Sequence, residues 1–171
     1  MMRITFLGLS IALVGCVAAC APPRQLVSIT TPFSDADFQP WAGTGNASVR
    51  GQAFLKTVGG DVKTCAGQQV LLIPDNAYSR EMISVASVNR GDPPNLDGRV
   101  SLYSRSEICD AQGGFSFDNM KPNKWIVLSK VTWGAASQYG VNQQGGVLEK
   151  RIDAHPGDNR LILSDADYIG R

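Results

Sequence analysis

The chain has 171 residues, of which 43% are hydrophobic and 18% charged, and 16 Lys and Arg against 15 Asp and Glu give a formal net charge of +1. This length fits one domain of ordinary size that can bury a core without metals. The clustered basic residues typical of nucleic-acid binding are absent from the sequence, so we expect no nucleic-acid partner.

Residues 1–19 have the layout of a secretory signal peptide. Arg3 precedes an apolar run from Ile4 to Val14, and small residues follow. The run is too short for a transmembrane helix, which needs about 20 residues. We therefore predict that this segment is cleaved. Its removal takes away Arg3 alone among the charged residues, leaving 15 basic and 15 acidic side chains and no net charge.

Two tetrapeptides match the lipobox of bacterial lipoproteins, an aliphatic residue and two small ones before a cysteine: LVGC ends at Cys16 and VAAC at Cys20. The small residues let the backbone enter a peptidase cleft, and the thiol receives the diacylglyceryl group. We favour Cys20, because it leaves a fuller signal and is followed at once by Ala-Pro-Pro. Cys16 is the alternative, and an ordinary signal peptide with cysteines by chance stays open. An acyl group on either cysteine would anchor the protein to a membrane.

The residue after the acylated cysteine bears on the destination. Neither Ala21 after Cys20 nor Val17 after Cys16 is the aspartate that resembles an inner-membrane retention signal in enteric lipoproteins. We therefore expect a lipid-anchored protein of the cell envelope, at the periplasmic face of the outer membrane if the source has two membranes.

Residues 20–46 contain prolines and small residues without a sustained hydrophobic period, which is typical of a tether. Phe33, Phe38 and Trp41 are unusually apolar for a free linker. The second half of the tether is therefore expected to pack, either on its own domain, which we favour, or on a partner.

Two cysteines, Cys65 and Cys109, remain in the part that is expected to fold. Export delivers them to a compartment in which disulfides persist, and the pair favours one bridge. Its loop would be worth about 4 kcal/mol in the chain-entropy model. Two separate buried thiols are the alternative. A metal site at this pair is disfavoured, because neither cysteine belongs to a CxxC motif or lies near the histidine.

From residue 47 onward the pattern changes to short strands. Residues 47–56 alternate apolar and polar side chains, Gly59-Gly60 breaks the chain as in a hairpin, and residues 69–74 form a continuous apolar strand. Residues 76–88 are the one stretch that could form a helix, although Ser and β-branched residues disfavour it. Residues 89–97, rich in Pro and Asn, predict a surface loop. This insertion is expected outside the sheets.

Five further strands are predicted, at residues 100–108, 114–117, 125–133, 147–152 and 159–163. The turn between the first two is Asp110 to Gly113, where Asp and Gly suit turn geometry. About seven short strands at this spacing predict an all-β sandwich over residues 47–164, followed by a C-terminal tail at 165–171.

The segment from Cys109 to Val127 (CDAQGGFSFDNMKPNKWIV) resembles the D-x-x-G-x-F-x-F … P-x-G-x-Y-x-V stretch of carboxypeptidase regulatory-like, or transthyretin-like, domains. VRGQA at residues 49–53 is similar to their first strand, and VLLIP at 70–74 to the strand that follows. The resemblance implies a Greek-key sandwich of about seven strands, commonly a structural or binding accessory. Asn123 replaces the usual turn glycine, which the left-handed preference of Asn tolerates. The loop between residues 76 and 100 is larger than such a domain needs.

The resemblance also implies where aromatic residues lie. Phe115 and Phe117 share one strand face, as do Trp125 and Val127, so both pairs can enter one core. Trp125 and Trp133 lie on the same face of one strand and could stack on sugars if exposed. Core packing is favoured, because the family pattern places an aromatic at the position of Trp125 inside.

Residues typical of catalysis are scarce. His155 is the only histidine and lies in a predicted turn, whereas the hydrolases and dioxygenases of similar fold use several, and the C-terminal YIGR does not match the YRGS ending of the hydrolases. No GxSxG, HExxH, P-loop or GxGxxG motif occurs. Two acidic DxD pairs, Asp35 with Asp37 and Asp165 with Asp167, lack the other ligands of an EF-hand loop. We expect no enzyme activity, cofactor or metal.

The sequence therefore predicts a lipid-anchored, non-enzymatic accessory domain of the cell envelope that binds another envelope component, a protein or a glycan. The alternative is carbohydrate binding through an aromatic face of the sandwich. A hydrolase with an unrecognised site is the third and weakest hypothesis.

Overall fold

The computed structural model describes residues 25–170, so the predicted signal peptide, Cys16 and Cys20 lie outside the described residues. Its helical elements are α1 (Asp35–Phe38), a 3-10 turn (Gln39–Trp41), α2 (Ala77–Asn89), α3 (Val100–Tyr103) and a second 3-10 turn (Asp165–Asp167). Its strands are β1 (Ala47–Lys56), β2 (Val62–Thr64), β3 (Gln69–Pro74), β4 (Arg105–Ile108), β5 (Gly114–Met120), β6 (Asn123–Ser137), β7 (Gly140–Ala154), β8 (Gly157–Leu163) and β9 (Tyr168–Gly170).

The strands form two packed sheets, which confirms the all-β sandwich with one inserted helix. In sheet 1, β1 is central: it pairs antiparallel with β2 and β5, and parallel with β8. Sheet 2 is antiparallel, in the order β4-β3-β6-β7-β9. Because β1 pairs with β5 and with β8 near the C-terminus, sheet 1 is completed by residues far apart in the sequence.

The main core fills the space between the two sheets. Val49 and Ala53 of β1 face inward, as the two-residue period predicts, and both side chains are fully buried. Phe115 and Phe117 of β5 enter the same core at 7% and 2% exposure, with their ring centroids 6.0 Å apart. Trp125 of β6 is fully buried against them from sheet 2. The prediction that both aromatic pairs share one core is confirmed.

A second core lies on the opposite face of sheet 2. Ile73 and Ile126 project to this side and are covered by α2, which contributes Tyr78, Met82 and Ile83. The helix begins at the cap residue Asn76, whose side chain accepts a hydrogen bond from the Ser79 N–H. It ends at Arg90, in the left-handed conformation. The predicted insertion therefore forms a helix that covers a face of sheet 2.

The N-terminal segment completes this second core. Phe38 is fully buried and its ring stacks on Phe33 at 4.8 Å, while Tyr78 and Tyr103 contact Phe38 from the side. Trp41 is half-buried and donates a hydrogen bond from Nε1 to the Lys124 carbonyl at 2.7 Å. The described part of the predicted tether thus packs on its own domain, which was the favoured of the two alternatives.

Cys65 and Cys109 form a disulfide, with their Cα atoms 5.7 Å apart. The bridge joins the loop after β2 to the end of β4, and both side chains are buried. The Gly67 N–H and the Cys109 N–H bond to backbone carbonyls across the same two segments. The predicted bridge is confirmed, and the alternative of two separate thiols is excluded.

The prediction of a strand from residue 100 to 108 is wrong in its first half. Val100–Tyr103 is the short helix α3, and only Arg105–Ile108 is a strand. Local hydrogen bonds outweigh the alternating pattern: the Val100 N–H donates to Asp97 O, and Ser104 N–H to Val100 O. The Tyr103 hydroxyl also bonds to Asp35, which fixes the helical turn against α1.

The C-terminal part is more ordered than the predicted strands and tail indicate. β6 and β7 each run 15 residues, beyond the predicted 125–133 and 147–152. Residues 165–167, assigned to the tail, form a 3-10 turn, and 168–170 form β9, which pairs with β7 at Leu148 and Val147. The predicted tail therefore supplies the edge strand of sheet 2.

Replacing Phe38 with Ala tests whether the N-terminal segment belongs to the folded unit. We expect the free energy of unfolding to fall by about 3–5 kcal/mol, because a fully buried ring leaves a cavity. Urea denaturation of the two proteins measures it. Leu102→Ala, at an exposed position of α3, is the control and should stay within about 0.5 kcal/mol. A Phe38→Ala value as small as the control's would contradict the packing described.

Candidate functional site

A long two-stranded extension projects from sheet 2, and we call residues 131–146 the arm. β6 and β7 pair in one continuous register from Asn123↔Ala154 to Ser137↔Gly140. β3 accompanies β6 only as far as Ser129, and β9 reaches β7 only at Val147 and Leu148. Within the described chain, the arm's strands form a ladder only with each other, while Gln68 hydrogen-bonds to Thr132 and the Tyr168 hydroxyl to the Gly145 carbonyl at the base of the arm.

The arm has no charged residue: the sequence from Val131 to Leu148 contains no Asp, Glu, Lys, Arg or His. Its turn presents Tyr139 at 90% exposure, followed by Val141 at 76%. Exposed strand edges leave backbone N–H and C=O groups open to pairing, and proteins usually protect such edges with charged residues or proline. The arm carries neither charge nor proline.

The inner face of the arm combines aromatic and amide side chains. By the two-residue period, Trp133 follows Trp125 and Val131 on the face toward sheet 1, and the register places Gln144 and Asn142 on that same face. Trp133 is partly buried against the main core. An amide offers both a donor and an acceptor. An uncharged surface of this kind suits ligands rich in hydroxyl groups.

Two glycines at the base of the arm permit its close packing. Gly145 has φ +88°, and a Cβ there would collide with the Val131 carbonyl oxygen and lie 2.8 Å from the Trp133 ring. A Cβ at Gly146 would collide with the Gly170 carbonyl and reach the Tyr168 ring. The arm's position therefore depends on glycine at both places.

A shallow groove of about 830 Å³ runs between β1, β7 and β8. Four basic residues line it: Arg50, Lys150, Arg151 and Arg160. Three of them have acidic partners, Asp158 at 2.9 Å from Arg50, Asp167 at 3.3 Å from Lys150, and Glu149 at 3.6 Å from Arg151. A hydrogen bond from Ser48 and the charge of Arg50 hold the pKa of Asp158 below its usual range. The groove is thus largely charge-neutralised, and we place the candidate site on the arm.

Residues 27–31, which we call the strap, are held against α2 and the loop that follows it. Asn89 accepts the Val27 N–H at 2.9 Å and donates to the Val27 carbonyl at 2.8 Å. Asn95 brackets Ile29 in the same way, at 2.9 and 2.8 Å. The strap is therefore fixed by side chains that imitate a neighbouring strand.

The carboxylate of Glu81 holds the C-terminal end of the strap. Its Oε1 accepts the Thr30 hydroxyl at 2.6 Å and the Thr30 N–H at 2.7 Å, and its Oε2 accepts the Thr31 N–H at 2.8 Å. These hydrogen bonds, that from the Thr30 hydroxyl first, lower the pKa of Glu81 from 4.5 to about 2. They favour the ionised carboxylate because each donor bonds to its negative charge.

The residues considered for catalysis or metal binding are dispersed. His155 is exposed in the turn before β8, and its backbone N–H donates a hydrogen bond to the side-chain oxygen of Asn159. Asp35 pairs with Arg99 at 2.6 Å, and Asp167 caps its own 3-10 turn. Among residues 25–170, no three His, Cys, Asp or Glu side chains converge in a way that could hold a metal ion.

The structure separates the two tryptophans proposed as a sugar platform. Trp125 is fully buried, whereas Trp133 is partly exposed at the base of the arm. The arm was not predicted, because glycines and amides interrupt the apolar alternation after Trp133. The absence of charge from Val131 to Leu148 was a visible signal for it.

No protein-family model matches the sequence, and no curated protein sequence matches it. Among solved structures, the fold is similar to that of a candidate carbohydrate binding protein from Pseudomonas aeruginosa, with a TM-score of 0.68 and 21% sequence identity. The match covers 78% of this chain and 98% of that one. At this identity the likeness shows the fold. Within the described residues, no helix has the length and hydropathy to span a bilayer.

Lowering the pH tests the contact between Glu81 and the strap. A folded-state pKa below the unfolded value means that the contribution of this carboxylate is complete above pH 4.5 and is lost as the pH falls toward about 2. We expect the amide NMR signals of Thr30 and Thr31 to shift with a midpoint near pH 2. Glu81→Gln, the control, should remove this transition. A midpoint at the ordinary glutamate value would contradict the contact.

Proposed function

We propose that the protein is a lipid-anchored, non-enzymatic binding domain of the cell envelope, and that its arm binds a glycan. One observation carries the glycan assignment: an uncharged two-stranded arm exposes Tyr139 at its turn and Asn142 on the face that also holds the partly buried Trp133. Sugar hydroxyls both donate and accept hydrogen bonds, as amides do, and the apolar faces of sugars pack on rings. The fold's likeness to a candidate carbohydrate binding protein supports the same assignment.

We further propose that the domain is of the carboxypeptidase regulatory-like type. The residues of the shared pattern support this, because Phe115, Phe117 and Trp125 lie in the main core, where the pattern implies them. In that family such domains are commonly structural or binding accessories. The dispersed titratable groups of the described residues fit a binding role better than a hydrolytic one.

A protein partner is the second candidate, and the exposed end of the arm, residues 136–143, favours it. This end carries neither charge nor proline, so its strand edges could accept an added strand through backbone hydrogen bonds. A glycan would instead contact the side chains of the arm. The two candidates therefore differ in which atoms of the arm they require.

The glycan hypothesis is tested at the tip and the inner face of the arm. We expect Tyr139→Ala and Asn142→Ala each to weaken glycan binding about tenfold, because loss of a central contact costs about 1–2 kcal/mol. Calorimetric titration of the full-length protein with peptidoglycan fragments and with envelope polysaccharides measures it.

Leu102→Ala, an exposed apolar residue outside the arm, is the matched control and should bind like the wild type. Wild-type affinity in both arm variants would place the glycan elsewhere. If none of these glycans binds the wild type, the glycan hypothesis is wrong, and a protein captured from native membranes through the arm becomes the leading candidate.

The anchor is tested by Cys20→Ala with Cys16 intact. We expect palmitate incorporation and membrane retention to drop sharply, because VAAC leaves the fuller signal and an extended Pro-rich segment follows it. Metabolic labelling with palmitate followed by membrane fractionation measures both. Labelling at the wild-type level would make Cys16 the anchor, and Cys16→Ala is the reciprocal control.

A further inference from the structure

We propose that the surface formed by the strap, the end of α2 and the loop after it rests on the membrane, held there by the short chain between the acyl anchor and the strap. The occupant of this surface is the lipid bilayer. The inference builds on lipid attachment at Cys20, which belongs to the proposed function, and adds the orientation of the domain.

The folded body of the protein begins at the strap. The sequence places a tether over residues 20–46, but the strap is already held at Val27 by both hydrogen bonds of Asn89. Asn95 and Glu81 continue the attachment through Ile29, Thr30 and Thr31. Only the residues between Cys20 and Val27 therefore connect the proposed anchor to the folded body.

The chain that joins the proposed anchor at Cys20 to the strap is short. An extended chain spans at most about 3.6 Å per residue, so seven residues from Cys20 to Val27 reach about 25 Å. A free tether from Cys20 to residue 46 would reach about 90 Å on the same basis. The strap therefore shortens the reach of the domain more than threefold. A folded body on so short a chain stays next to the membrane into which its acyl groups insert.

Aliphatic side chains are exposed on and beside the strap. Leu26 is 53% exposed, Val27 45% and Leu96 38%, although all three are aliphatic. Leu26 directly precedes Val27, and Leu96 directly follows Asn95, which brackets Ile29, so all three residues lie on the strap, next to it in the chain or beside a residue that holds it. Exposed apolar side chains enter the boundary between headgroups and acyl chains.

Charge on this surface is mixed, so electrostatic attraction to anionic lipids is not required to hold it at the membrane. Arg90, at the end of α2, and Asp92, in the loop after it, are both exposed. Glu81 is occupied by the strap, as described above. The short chain and the exposed aliphatic side chains together determine the orientation.

The test uses the full-length acylated protein in phosphatidylethanolamine and phosphatidylglycerol vesicles that contain lipids with a headgroup spin label. A fluorescent probe is attached through Leu96→Cys in one sample. In the matched control it is attached through Val58→Cys, a fully exposed position on the β1–β2 turn of sheet 1, across the sandwich from α2. The native pair Cys65 and Cys109 is bridged and does not compete for the probe.

We expect the spin label to quench the probe at residue 96 and to leave the probe at residue 58 unaffected. Equal quenching at the two positions, with the protein floating with the vesicles, would overturn the orientation while leaving the lipid anchor intact. Protein that does not float with the vesicles would overturn the anchor itself, and the orientation with it.

A second variant isolates the role of the short chain. A flexible Gly/Ser linker of about 20 residues, inserted after Pro23, adds roughly 25 Å of root-mean-square reach and leaves the folded body unchanged. Quenching at residue 96 should then fall, while flotation persists. Quenching at the original level would show that the short chain does not hold this surface, which would overturn the proposal.

Discussion

Sheet 2 is apolar on both faces, and the arrangement of the other elements follows from that constraint. In β6 the consecutive residues Trp125, Ile126 and Val127 are all fully buried, so neither face of this strand can meet water. Sheet 1 covers the face of Trp125 and Val127, while α2 and the N-terminal segment cover the face of Ile126. The sandwich therefore has three layers over part of its area.

This constraint gives the N-terminal segment a structural role. Phe33 and Phe38 both contact the ring of Tyr78, so without this segment Tyr78 would lose its two aromatic neighbours in the second core. Arg99 adds a charged contact by stacking on Phe33 at 4.3 Å. The N-terminal segment, which precedes the first strand, therefore belongs to the second core.

Much of the sandwich could be predicted from the sequence, because the alternating or continuous apolar residues that indicate β1, β3 and β5 lie within each strand itself. The disulfide followed from compartment and parity. Tertiary contacts decided the remaining elements. Val100–Tyr103 alternates like a strand but forms a helical turn through Asp97 and Ser104, which hydrogen-bond to it locally.

The candidate site was harder to predict than the fold. A pattern search follows apolar alternation, and Gly134, Gly145 and Gly146 interrupt it in the arm, although the ladder of β6 and β7 continues there in the same register. The strap was invisible for a different reason: Asn89 and Asn95 lie more than 60 residues from the backbone that they bracket. No local pattern carries that information.

The position of β1 has a consequence for the order in which the chain can fold during synthesis. Ser48 bonds to Asp158 across 110 residues of sequence, and the parallel pairing of β1 with β8 requires the last part of the chain. Non-local pairings of this kind form slowly, because a long loop must close before any contact compensates for the lost entropy. The first half of the chain, emerging first, has no partner on one side of its central strand. Sheet 1 therefore cannot be complete until the C-terminal part of the chain, which contains β8, is available.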